Sequence, residues 1–107
     1  MIKVEIFRNC SRKIYGFKIE NHGDPIVCAA VSALSINTVN SIKTFTTDKV
    51  NVNYDENGGF VKFELPVFID NCESPDAELL LNSLALGLVE IEKEYPKHIK
   101  INDERKR

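Results

Sequence analysis

The chain has 107 residues, enough for one domain that buries a core without staples. It is 43% hydrophobic and 28% charged, which excludes a disordered chain, a collagen and a repeat array. Fourteen basic residues against sixteen acidic ones give a net charge of -2. Apart from Arg105-Lys106-Arg107 the basic residues are dispersed, so no basic face for direct nucleic-acid binding is expected.

The N-terminal segment alternates, with Ile2, Val4 and Ile6 on one face and Lys3 and Glu5 on the other. This is a half-buried strand and not a signal peptide. A polar turn at Asn9–Lys13 leads to a second alternating run, Tyr15, Phe17 and Ile19, predicting a hairpin. Asp24 then supplies a helix N-cap, and Pro25 suits the first helical position, where a missing N–H costs nothing. The helix predicted from about residue 25 to 43 is apolar almost all round. That pattern implies burial on most sides, or cover by a partner subunit. Its one polar stripe is Cys28, Ser32 and Ser35, spaced four and three and so sharing a face. No uninterrupted apolar run reaches the length of a membrane span, and no membrane association is expected.

Val50, Val52 and Tyr54 form a third strand. The Asp55–Gly59 turn joins it to a fourth, in which Val61, Phe63, Leu65 and Val67 alternate and Pro66 marks an edge or an end. Ser74-Pro75-Asp76 repeats the cap-then-proline pattern and opens a second helix, about 75 to 95. Its core seam is Ala77, Leu81, Leu84, Leu88, Ile91 and Tyr95. Leu79, Leu80, Leu86 and Val89 are a surplus, to be covered internally or by a second copy of the chain. His98–Asn102 adds a short fifth strand. The order ββαββα(β) predicts a single α+β domain, an antiparallel or mixed sheet packed with two helices.

The chemistry concentrates between His22 and Leu34. Cys28 in the first turn of a helix lies near the unpaired N–H groups and positive end of the helix dipole, which stabilise a thiolate. His22 would take the thiol proton, and free N–H groups of the same turn would hold the oxyanion formed on attack at a carbonyl. The opposing reading is a packed cysteine and a solvated loop histidine, and position alone leaves both open. Ser32 is expected to bond back to a helix carbonyl. Cys10, in a turn, Cys72, in the irregular stretch Asp70–Glu73, and His98 carry no visible partner for chemistry. Neither Cys-x-x-C nor paired His/Cys spacing occurs, so no metal and no cofactor is expected. Three thiols without an export signal point to the cytoplasm.

The run IVCAAVSAL, Ile26–Leu34, resembles the signature of the ribosomal-processing cysteine proteases, the Prp family. The hairpin NYDENGG, Asn53–Gly59, and the acidic start of the second helix fit the same pattern along essentially the whole chain. The resemblance implies a homodimeric cysteine endopeptidase that removes an N-terminal extension from a large-subunit ribosomal protein precursor. It makes Cys28 the nucleophile, His22 the general base and Ser32 the match to a family serine one turn after the cysteine. Three departures stand out. Gly-His-Ala is here Asn21-His22-Gly23, Pro25 replaces the aspartate before Ile-Val-Cys, and the His-to-Cys link is about six residues shorter, though still able to span roughly 20 Å. The short link motivates the alternative of a non-catalytic, ribosome-associated binding module on the same scaffold. An RNA-binding domain is disfavoured by charge and by the lack of an aromatic strand motif.

Overall fold

In the computed structural model, residues 1–55, 59–66 and 74–104 are described. Five strands and two helices follow in the order β1 (Ile2–Arg8), β2 (Ile14–Glu20), α1 (Pro25–Phe45), β3 (Asn51–Tyr54), β4 (Phe60–Glu64), α2 (Pro75–Glu94) and β5 (Ile99–Asp103). The strands make one mixed sheet in the order β3-β4-β2-β1-β5, with β5 parallel to β1 and every other pair antiparallel. This is the α+β, two-helix architecture expected from the residue pattern.

Alternation decides which face of the sheet is covered. Ile101, Val4, Ile19 and Val61 lie in one cross-strand row; Ile6, Phe17 and Phe63 lie in the next. All of these but the half-buried Val61 are buried. Phe17 and Phe63 are direct partners with stacked rings 5.3 Å apart, a pairing worth ~0.5–1.5 kcal/mol beyond its buried area. The opposite face carries Glu5, Lys18 and Lys62 in one row. Lys18 reaches Glu20 at 2.7 Å and Glu5 at 3.7 Å. The bond to Lys18 holds the Glu20 carboxyl below the usual carboxylate range, and the bond to Glu20 holds the Lys18 ammonium above its usual one.

A β-bulge departs from the simple alternation. The register shifts between Phe7 and Arg8, so that Phe7 opposes Gly16 and Arg8 opposes Ile14, leaving Tyr15 as the extra residue. Ile14 is therefore buried, and Tyr15 stacks on Phe7 at 5.8 Å instead of joining the Phe17 face. Just beyond, Arg8 grips Asp103 with two bonds, Nε at 2.7 Å and Nη2 at 2.9 Å, and fastens the far end of β5 to β1. The bonded Asp103 carboxylate pushes the Arg8 pKa up.

α2 buries Ala77, Leu81, Leu84 and Leu88 and packs on β2, β5 and α1, while Leu79 and Leu86 are exposed. Ser74 stands at its N-cap position, but the hydroxyl bonds the Asp48 carboxylate and not the helix backbone. β4 ends at Glu64, before Pro66, so the proline marks a strand terminus; Val67, like Asn57 and Gly58 of the hairpin turn, lies outside the described residues.

α1 corrects one expectation. At 21 residues it is long and apolar enough to cross a membrane, because the Ser, Thr and Asn residues that interrupt its apolar runs carry no charge and Lys43 is its first charged residue. In the fold it is a packed element: Val27, Val31, Ser35, Thr38, Val39 and Ile42 are buried and it lies against α2. Its other side leaves a trench over the β2, β4 and β3 part of the sheet.

Candidate active site

The trench is a cavity of about 660 Å³. One wall is α1, from Cys28 through Ser32, Ser35, Ile36 and Val39 to Lys43; the other holds Ile19, Val52, Tyr54 and Val61. Asn21, His22 and Gly59 also line it. The predicted stripe Cys28, Ser32 and Ser35 therefore faces one cavity together with His22. Ser35, and not Ser32, makes the back-bond to the helix, at 2.8 Å to the Val31 carbonyl. Ser32 is exposed toward the cavity.

The turn that delivers Cys28 follows from local chemistry. Asn21 has φ 72°, a left-handed conformation that Asn tolerates better than most residues. It turns the chain out of β2, and its N–H donates to the Gly59 carbonyl at 2.8 Å. The N-terminal ammonium donates to the His22 carbonyl at 3.3 Å. Asp24 Oδ1 accepts from the N–H groups of Ile26 at 2.9 Å and Val27 at 3.4 Å, and its carbonyl accepts from the Cys28 N–H at 2.8 Å.

This cap overturns the oxyanion hole expected from the first turn. Pro25 has no N–H, and the next three are all bonded to Asp24, so the turn offers none to a substrate oxygen. The signal that located the helix start, an aspartate before a proline, is the group that occupies the donors. The half-buried thiol instead meets the backbone of Gly23, whose N–H lies 3.3 Å from Sγ and whose carbonyl lies 3.7 Å from it.

The His22 side chain is exposed, and its ring stands against Gly59 at the end of the β3–β4 hairpin. Gly59 has φ 83°, and a Cβ added there would come within 2.8 Å of His22 Nε2 and 3.3 Å of Cδ2. The positive φ favours glycine, and a Cβ there would displace the His22 ring. Nothing in the sequence paired Gly59 with His22; the one available signal was a second glycine where a hairpin turn needs only one.

The remaining candidates lie elsewhere. Cys10 is exposed in the β1–β2 turn, where Asn9 Oδ1 accepts from the N–H groups of Ser11 and Lys13. Cys72 lies outside the described residues. His98 precedes β5, with its ring beside Tyr95 and its carbonyl accepting from the Ile2 N–H at 3.0 Å, so it joins the sheet and does not line the cavity. Among the described residues no group of three or more His, Cys, Asp or Glu side chains could hold a metal ion.

Cys28, at a capped helix start, and the His22 imidazole thus line one trench. The family model described as cysteine protease Prp matches residues 1–100. The chain belongs to the Prp family of cysteine proteases. The ribosomal processing cysteine protease Prp of Staphylococcus aureus is 33% identical to it, over 95% of this chain and 98% of that protein. The protein of the same name from Bacillus subtilis is 27% identical, over 94% and 96%. The crystal structure of S. aureus Prp in complex with a covalently linked product peptide superimposes with a TM-score of 0.87 at 34% identity, covering 97% of this chain and all of that one. Similarity over the whole length places the short His22-to-Cys28 link inside an otherwise complete Prp fold, and membership in a protease family displaces the binding-module alternative.

Proposed function

We propose that this chain is a cytoplasmic cysteine endopeptidase that removes the N-terminal extension of a large-subunit ribosomal protein precursor, acting as a homodimer. The observation that carries the reading is that Cys28 and His22 line one trench. The trench follows α1 from Cys28 to Lys43, about 22 Å at 1.5 Å per residue, the length of some six or seven extended residues.

In the mechanism, the Cys28 thiol gives its proton to the His22 imidazole and sulfur attacks the scissile carbonyl. The S–C bond forms and the C–N bond breaks as the imidazolium returns the proton to the leaving amine. Water, deprotonated by His22, then hydrolyses the thioester and releases the new carboxyl end and the thiol. Ser32, one turn along the same wall, contacts the bound peptide. Cleavage of an extended ribosomal-protein precursor tests the reading: loss of the extension with wild type and no loss with Cys28→Ala supports it, and cleavage by Cys28→Ala overturns it.

Exposed apolar residues support the dimer. Ile26 on α1 is 71% exposed, and Leu79 and Leu86, two turns apart on α2, are 69% and 65% exposed. Light scattering is expected to give twice the monomer mass, and Leu79→Glu with Leu86→Glu to halve it. The free thiol of Cys28 suits a reducing compartment.

A further inference from the structure

A thiolate needs donors, and the helix that carries Cys28 has none to give. The three N–H groups of its first turn are bonded to the Asp24 side chain and carbonyl. One backbone donor reaches the sulfur, the Gly23 N–H at 3.3 Å, and the carbonyl of the same residue lies 3.7 Å away as acceptor for the S–H. A thiol donates and accepts, so it satisfies both groups; a thiolate only accepts. Loss of the proton therefore strengthens the N–H contact, which becomes charge-assisted, and sets the Gly23 carbonyl dipole against the sulfur, favouring its departure toward the trench.

We propose that the Gly23 peptide N–H is a catalytic group of this site, holding the Cys28 thiolate in the role expected of the helix N-terminus. The proposal rests on Cys28 being the nucleophile. The thiol proton passes to His22, and the Gly23 N–H donates to the sulfur until its electron pair forms the bond to the substrate carbon. The donor is fixed in place by its surroundings. Gly23 is packed so that a Cβ would stand 3.2 Å from Ile2 Cγ1 and 3.3 Å from the His98 carbonyl. The peptide group that carries this N–H is itself tied down, its His22 carbonyl accepting from the N-terminal ammonium, and the chain is anchored before it by the Asn21 N–H on Gly59 and after it by Asp24 on the helix.

The test replaces Gly23 by glycolic acid, so that an ester stands where the amide was and the N–H alone is lost. Alkylation of Cys28 by iodoacetamide, followed by peptide mass mapping from pH 5 to 10, is expected to show its midpoint raised by about one pH unit, and kcat/KM at pH 7 reduced roughly 10-fold. In the unaltered chain, the Gly23 amide proton is expected to move downfield with the same midpoint as alkylation and to lose that titration in Cys28→Ala. An unmoved midpoint in the ester chain, or a Gly23 amide that does not follow Cys28, overturns the proposal. Alkylation needs no substrate. A raised midpoint in a protein that fails to cut the precursor therefore retires the precursor as its substrate and keeps this proposal, while cutting with an unmoved midpoint does the reverse.

Discussion

Gly59→Ala separates the structural and chemical roles of the hairpin end. Two effects act on the substituted chain. The backbone at φ 83° imposes a penalty of ~1–2 kcal/mol on any residue with a Cβ, which in a domain of this size lowers Tm by about 4–8 °C per kcal/mol. The new Cβ also stands 2.8 Å from His22 Nε2. The side chain can rotate where the hairpin backbone, bonded to Asn21, cannot, so the ring moves. Misplacing a catalytic group by about 1 Å costs up to 100-fold in rate, so kcat is expected to fall roughly 10- to 100-fold while the chain stays folded at 25 °C. The assay pairs thermal unfolding with kcat on a fluorogenic peptide spanning the precursor junction, measured well below the lowered Tm. A variant with reduced Tm and unchanged kcat would refute the reasoning, since it would show that His22 does not need the position the hairpin gives it.

Other outcomes follow from the same contacts. Asp24→Ala removes the acceptor for two helix N–H groups and is expected to cost about 1 kcal/mol, read in urea unfolding, whereas Ser74→Ala, whose hydroxyl caps nothing, leaves the α2 end intact. Arg8→Ala leaves Asp103 without its two-pronged partner and is expected to cost ~2–4 kcal/mol, with kcat unchanged because Arg8 ends β1 about 20 Å from the Ile2 end that packs on Gly23. Glu20 has its carboxyl held low by Lys18, so its contribution to stability is present above the ordinary carboxylate pKa and is lost as pH falls through the lower folded value. Lys18→Met is expected to raise the Glu20 midpoint in an NMR titration and to flatten that acid limb.

The sequence made the helix start legible to the residue, because Asp24 acts through contacts two and three positions away and Pro25 through its own fixed φ. The alternating strands were legible for the same reason, since their faces are set by a local period. Where several residues had to meet across the fold, the pattern was silent. The parallel pairing of β5 with β1 needs the chain to return after α2, and the bulge that turns Tyr15 away from Phe17 inserts one residue into an otherwise regular alternation. The site divides along the same line. Cys28, Ser32 and Ser35 share a face by helical spacing, and they do line one cavity. The pairing of His22 with Gly59 is tertiary, and so is the firm packing of Gly23 on Ile2 and His98. The expected oxyanion donors failed for a local reason that could have been read, as a side chain able to cap a helix takes the N–H groups it caps.

Cys28 and His22 are proposed to form a working protease dyad despite their short link. Incubating the chain with an extended ribosomal-protein precursor and weighing both by intact mass tests this directly. A precursor shortened by its N-terminal extension is expected with wild type, and an unchanged precursor with Cys28→Ala and with His22→Ala. A precursor of unchanged mass after incubation with the folded wild-type chain, or one cut equally by Cys28→Ala, would contradict it.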